Sequence, residues 1–258
     1  MAEKDGVQSV VRALSLMRLM AQGEGGARLS DLARAAGLPV STAHRLLTTL
    51  EQQGFAQFEP TGSAWHVGRD AFSTGMAYGR RLSFVAPALP LLRRLRDATR
   101  ETANLGILDD DQLVTVSQVE SREIRRALSP PGRRVPVFSS AMGKAILATW
   151  RDEDVLALAS RAGLPPLTSK SLRSPEAAME DIARTRARGW ALDDEEFNMG
   201  MRCLAAVVWS PQGEAACAIS ISGAAGRLTP DRLEALGARV AQAAGELTAM
   251  LGGTAPEG

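Results

Sequence analysis

Several groups of residues in this chain have types and spacings suited to chemistry. Ser139, Ser140, Ala141, Met142, Gly143 and Lys144 run from an extended segment into a helical pattern. Free backbone N–H groups at such a helix start make a ready anion site, and a carboxylate would fit there. The stretch is not a Walker A phosphate loop: Phe138 stands where the first glycine of GxxxxGK belongs, and Ala145 replaces the required hydroxyl. An ordinary N-cap by Ser139 or Ser140 accounts for the same residues. Asp193, Asp194, Glu195 and Glu196 form an acidic run just after a strand pattern, and the plain reading of residues 194–196 is a solvated loop. Ser220 and Ser222 alternate with Ile219 and Ile221, so both hydroxyls lie on one side of a strand. If that side faces a cavity they are ligand donors; if it faces water they are a polar surface. Cys203 has no nearby histidine and reads as a small buried hydrophobe rather than a nucleophile.

A further group lies near the N-terminus. Ala43, Leu46, Leu47 and Leu50 fall at i, i+3, i+4 and i+7, one apolar stripe of a helix. Ser41, Arg45 and Thr48 lie opposite it, with Thr42, His44 and Thr49 on the flanks. Hydroxyls, an imidazole and a guanidinium on one wet helix face can read base edges and grip phosphates in a major groove. Taken alone, the pattern fits a solvated helical hairpin equally well. The residues that follow decide between them: 55–59 and 64–67 are two short β-like runs around Pro60, Thr61, Gly62 and Ser63, a hairpin. Helix, turn at Gly37 to Pro39, helix and hairpin together make a winged helix-turn-helix with Ser41, Thr42, His44, Arg45 and Thr48 as its DNA-facing residues.

Composition limits what the rest can be. The 258 residues are 45% hydrophobic and 23% charged, the make-up of a globular protein with room for two domains. No apolar run approaches the roughly 18 residues a membrane span needs, so a cytoplasmic protein is expected. A net charge of +1 excludes a polybasic nucleic-acid binder, and any grip on DNA must be local. Lysine is confined to Lys4, Lys144 and Lys170, which reads as GC-rich codon usage as readily as a functional choice. Both histidines, His44 and His66, precede residue 67, which leaves the remainder without an imidazole base or histidine metal ligand. Cys203 and Cys217 form no CxxC pair, and neither a metal site, a cofactor nor a disulfide framework is indicated.

In chain order, residues 7–22 form an amphipathic helix that floors the winged-helix core, and Ser30 is the candidate N-cap of the next helix. Residues 70–84 read as a linker helix whose Phe72, Met76, Tyr78 and Leu82 pack either on a second copy or on the chain's own domains. The domains are accordingly 1–69, the linker 70–84, and 85–258. In the last, helix 85–102 precedes a hairpin (103–108 and 113–119) with an acidic tip at Asp109 to Asp111. Short strands at 124–128 and 135–138 follow, then helices 140–150, 153–161 and 175–188. Strands 190–193, 202–209 and 215–222 and a last helix, 230–251, complete an α+β domain with a largely antiparallel sheet.

These segments resemble, nearly end to end, the IclR family of bacterial transcriptional regulators. VQSVVRAL matches its first helix, GLPVSTAHRLLTTLEQQGF its helix-turn-helix, and SSAMGKAIL its central helix start. RGWALDDEEFNMGMRCLAAVV and AISISG match its effector-domain signature. The resemblance implies a winged helix-turn-helix, a linker helix and a C-terminal effector-binding domain of GAF/profilin-like α+β architecture. It also implies homodimers that often pair into homotetramers on a double-stranded DNA operator. Carried over by position, the polar effector pocket is Asp193, Cys203, Ser220 and Ser222 with the backbone of Ala141 and Met142, and its apolar wall is Ile124, Ala127, Val135 and Met201. The match is nearest to members that sense glyoxylate, pyruvate or similar oxo-acids. Those members carry a smaller Gly-Ala pair at 141–142, and commonly a larger residue at 127. The expected protein is a repressor or activator set by a small carboxylate. Two other classes compete: a ligand-independent architectural DNA binder, and an enzyme using Cys203 with the acidic run.

Overall fold

The computed structural model describes residues 6–23, 25–122 and 130–256. The chain divides into two compact units, residues 1–82 and 83–258. In the first, α1 (Gln8–Met20), α2 (Leu29–Ala35) and α3 (Val40–Gln52) pack around Leu16, Met20, Leu32, Ala43 and Leu47. The antiparallel hairpin β1 (Ala56–Glu59) and β2 (Ala64–Val67) closes this core with Trp65. Ala27 bridges Trp65 by two backbone hydrogen bonds (3.0 and 2.8 Å), which gives the hairpin a third edge.

Two expectations change here. The N-cap of α2 is Arg28, so Ser30 lies inside the helix and caps nothing. Only the second half of α1 floors the core, through Leu16 and Met20, while Val10, Val11 and Leu14 are exposed. The helix α4 (Arg69–Arg81) starts directly off this unit, since Asp70 N donates to Gly54 O (3.0 Å). Phe72, Met76 and Tyr78 on it are exposed.

The second unit opens with α5 (Val85–Thr99) and is built on one six-stranded antiparallel sheet. Its strands are β3 (Thr102–Asp109), β4 (Gln112–Val119), β5 (Arg134–Pro136), β6 (Ala191–Asp194), β7 (Met201–Trp209) and β8 (Ala215–Ala224), in the spatial order β5-β4-β3-β8-β7-β6. The strand expected over 124–128 lies outside the described residues. The expected strand 135–138 is shorter, because the chain turns into a single 3-10 turn, Val137–Ser139. That turn feeds α6 (Ala141–Leu147), capped by Ser140, whose Oγ accepts from Gly143 N (3.3 Å). Gly143 is required here, because a Cβ on it would stand 2.3 Å from the carbonyl oxygen of Val137.

Helices α5 and α9 (Pro230–Met250) contact β3, β4 and β7, and α6 contacts β6, β7 and β8. Ala141, Met142, Ala145 and Ile146 of α6 pack against Leu113, Val135, Ala191, Ala205 and Ala218 of the sheet. The small alanines of the strands let α6 sit close to the sheet. Outside α6, α7 (Asp152–Ala162) and α8 (Pro175–Arg188) bury Val155, Leu158, Ala178 and Ile182.

Candidate functional site

The start of α6 covers a small cavity of about 40 Å³ in the second unit, lined by Asn104, Thr115, Ser140, Ala141, Met142, Asp193, Phe197, Cys203, Ser220 and Ser222, with Leu113, Val135 and Ser139. The strand registers explain how residues far apart in sequence converge. Asn104 on β3 lies opposite both Gln118 on β4 and Ser220 on β8. One row along, Ser222 on β8 lies opposite Cys203 on β7, which in turn lies opposite Asp193 on β6. The side of β8 that carries Ser220 and Ser222 thus faces a cavity, not water. Of the residues carried over to the pocket, Ala141, Met142, Asp193, Cys203, Ser220, Ser222 and Val135 line it. Met201 does not: it opens β7 opposite Ala224, two residues beyond Cys203, and the cavity ends before it. Ile124 and Ala127 lie outside the described residues.

The cavity is lined by groups able to donate. The N–H groups of Ala141 and Met142 have no hydrogen-bond partner among the described residues. Asp193 Oδ1 accepts from the backbone N–H of Glu196 (2.8 Å) and Phe197 (3.3 Å). Even so, burial drives the Asp193 carboxyl up to about 7, with Lys144 opposing the rise and Glu196 adding to it. Burial likewise raises the Cys203 thiol well above its ordinary range, and Asp193 adds to this. A thiol held protonated is a poor nucleophile, which argues against an enzyme built on Cys203.

Behind the cavity lies a cluster that pattern reading missed. Lys144 is fully buried; its Nζ donates to Glu196 Oε1 (2.7 Å) and ion-pairs with Asp181 Oδ2 on α8 (2.8 Å). Burial opposes the Lys144 charge, but Glu196 and Asp181 more than offset it and its pKa is raised. Burial also works against the Asp181 carboxylate, yet Lys144 outweighs it and holds that group below its usual range. For Glu196 burial wins over Lys144 and its pKa rises. The acidic run is therefore not a solvated loop. Asp194 pairs with Arg202 (2.5 Å), Glu195 with Lys170 (2.5 Å) and Glu196 with Lys144, three cations that stand apart in sequence.

On the first unit, Ser41, His44 and Arg45 of α3 are exposed, and Thr42 and Thr48 are half-buried. His44 meets Trp65 edge-on, ring centroids 6.5 Å apart. His44 and Thr48 share a groove with Phe58, Ser63 and Trp65 of the hairpin. Phe58 N donates to Glu51 Oε1 (3.0 Å), which ties the hairpin to the end of α3. Arg45 remains the one cation of the helix, at the centre of its open face.

Comparison with known proteins identifies the family. The IclR helix-turn-helix domain matches residues 9–60, and the family described as bacterial transcriptional regulator IclR C-terminal matches residues 76–249. The chain belongs to the IclR family of bacterial transcriptional regulators. It is 41% identical over 249 residues to the transcriptional repressor IclR of Escherichia coli K12, covering 96% of this chain and 91% of that protein. It is 42% identical over 246 residues to the HTH-type transcriptional regulator BhcR of Paracoccus denitrificans, covering 95% and 88%. A crystal structure of an IclR homolog from Microbacterium hydrocarbonoxydans, complexed with 4-hydroxybenzoate, shares the fold with a TM-score of 0.81 at 20% identity, covering 95% of this chain and 99% of that one.

As an IclR-type regulator the protein is not an enzyme: its first unit carries the DNA-binding helix-turn-helix and its second the effector-binding domain. No helix among the described residues is long and apolar enough to cross a membrane. Asn104 and Thr115 are the polar cavity residues that sequence reading passed over. For Asn104 the signal was the alternation Thr102, Asn104, Gly106 against the apolar Ala103, Leu105, Ile107 on β3.

Proposed function

We propose that this protein is a homo-oligomeric repressor whose affinity for a palindromic operator is set by a two- or three-carbon oxo- or hydroxy-acid. The observation that carries the effector assignment is the small cavity beneath α6, lined by donors and measuring about 40 Å³. A water needs roughly 10–15 Å³ of such space, so the cavity takes about three water-sized spheres, the bulk of a small acid rather than of an aromatic ring. Met142 adds to this restriction, since it packs over Gly106, where a Cβ would come within 3.0 Å of its sulfur. The carboxylate of the ligand rests on the Ala141 and Met142 N–H groups, Ser220 and Ser222 donate to its other end, and Asp193 contributes a protonated carboxyl. The apolar wall of the notional ligand is Val135 with Leu113. Repression, rather than activation, is supported by the Escherichia coli relative, which is a transcriptional repressor.

Replacing Ser220 and Ser222 together by alanine is expected to weaken binding of glyoxylate by up to a few kcal/mol, at about 1.5–3 kcal/mol for each hydrogen bond to a charged partner. Operator binding without ligand should survive. Isothermal titration calorimetry reads this directly, and unchanged affinity would place the effector elsewhere.

The DNA contact is assigned to the open face of α3, with Ser41, Thr42, His44 and Thr48 around Arg45. Arg45→Ala is expected to weaken specific operator binding by about 1–3 kcal/mol and leave thermal stability unchanged, since the side chain is exposed. A mobility-shift titration at fixed salt checks it; equal affinity would remove the reading-helix role. Dimerisation is supported by the exposed apolar residues Val10, Val11 and Leu14 of α1 and Phe72, Met76 and Tyr78 of α4. The linker helix α4 is assigned as the element whose two states the effector biases, in a protein acting on DNA in the cytoplasm.

A further inference from the structure

The two serine hydroxyls of the cavity are not free to orient themselves. Asn104, 3% exposed, donates from Nδ2 to both Ser220 Oγ (3.1 Å) and Ser222 Oγ (3.0 Å). Its Oδ1 in turn accepts from Gln118 Nε2 (2.7 Å), so both ends of the amide are engaged. A hydroxyl has one hydrogen to give and two lone pairs. Because each serine already accepts from Asn104, its O–H is left to donate. The Cys203 sulfur opposite Ser222 is only a weak acceptor. Both serines line the cavity, where a ligand acceptor takes the Ser220 hydrogen and draws the Ser222 hydrogen away from the weak Cys203 acceptor it otherwise meets, and in a chain of hydrogen bonds running one way each bond polarises the next.

We propose that Asn104 is a positioning residue for effector recognition: by occupying a lone pair on each serine it turns both hydroxyls into donors aimed at the oxo or hydroxyl oxygen of the ligand, and so sets that end of the cavity to meet an acceptor. The proposal rests on the effector site assigned above. The direction of the chain is the selective element. A side chain that accepted from the serines at this position would reverse both hydroxyls and present lone pairs to an anion. Asparagine has the reach to serve both serines at once because it sits on β3, the strand paired with β8, directly opposite Ser220.

A double-mutant cycle on the full-length chain, read by calorimetry with glyoxylate, tests it. Asn104→Leu, close in volume, is expected to weaken glyoxylate binding about tenfold in the parent and less than twofold in the Ser220→Ala/Ser222→Ala background, because it acts only through those hydroxyls. Asn104→Asp keeps the shape and the bond from Gln118, but puts an acceptor where Nδ2 stood; it is expected to lose a hundredfold or more at pH 7. Equal losses from Asn104→Leu in both backgrounds, or an Asn104→Asp variant that binds like the parent, would overturn the role of Asn104. Unchanged binding in the serine pair alone would instead overturn the effector-site reading on which it stands.

Discussion

Lys144→Met is expected to destabilise the effector-binding unit by about 3–5 kcal/mol at neutral pH, the cost of removing one partner from a buried ion pair. Lys144 is wholly enclosed, and the Asp181 and Glu196 carboxylates that face it are nearly so. Without the ammonium, two acids confront each other in the buried site, and Asp181 keeps only the largely exposed Arg184 (3.0 Å) at its outer edge. The loss should depend on pH in a defined direction. In the parent, Lys144 depresses Asp181 below its usual range; that contribution is present above the unfolded pKa and disappears as pH falls through the folded one. In the variant the depression becomes an elevation, so its stability should fall as pH rises from 5 to 8. Urea denaturation at both pH values measures this. A loss under about 1 kcal/mol, or one equal at the two pH values, would show that the cluster is not held by the lysine charge. The consequence for function follows from position: Lys144 lies two residues after Met142 on α6 and ties that helix to α8 and to the loop after β6. The lid of the cavity is thereby fixed from behind.

The two units were legible in the sequence to different degrees. The stripe Ala43, Leu46, Leu47, Leu50 and the turn residues 60–63 placed α3 and the hairpin, because helix period and turn chemistry are local. Ser220 and Ser222 were legible for the same reason, as alternation on one strand gives a shared side. Which side faced the cavity was not, since that depends on α6 lying across the sheet. Glu196 was misread because its partner is 52 residues away, and nothing in a run of four acids distinguishes the one that turns inward. The backbone makes that turn at Glu195, which adopts a left-handed φ of 63°, and the Asp193 carboxylate holds it by capping the N–H of Glu196. Lys144 was read only as part of a failed phosphate motif. Ser30 was misassigned because α2 begins two residues earlier than its hydroxyl suggested, and local rules leave helix ends loose by a residue or two.

The second large effect concerns the acid in the cavity itself. Binding of a small carboxylate is expected to weaken about tenfold for each pH unit above about 7, and Asp193→Asn should abolish this slope. Asp193 is enclosed and its carboxyl titrates at about 7. The groups that face it are Glu196 on the following loop, Cys203 on β7 and Lys144 on α6, and only Lys144 is positive. An anion entering the same cavity adds a second negative charge that one lysine, already shared by Asp181 and Glu196, does not balance. The bound state must then keep the proton on Asp193. Above pH 7 the free protein has lost it, and each binding event takes one up from solution. The tenfold slope is that proton's mass action. Asparagine keeps the oxygen that accepts from Glu196 and Phe197 and supplies a permanent donor, so the variant should bind at pH 9 about as it does at pH 7. The same proton governs stability without ligand. A carboxyl raised from 3.8 to about 7 is protonated folded and ionised unfolded between those values, so it makes stability fall as pH rises through that window. Asp193→Asn should flatten that fall, which urea titrations at pH 5 and 8 would register. Calorimetry with glyoxylate from pH 6 to 9, in two buffers of different ionisation enthalpy, counts the protons. Affinity that holds constant from pH 7 to 9 with no proton uptake, or a slope that persists in Asp193→Asn, would mean that the ligand does not share its cavity with this carboxyl.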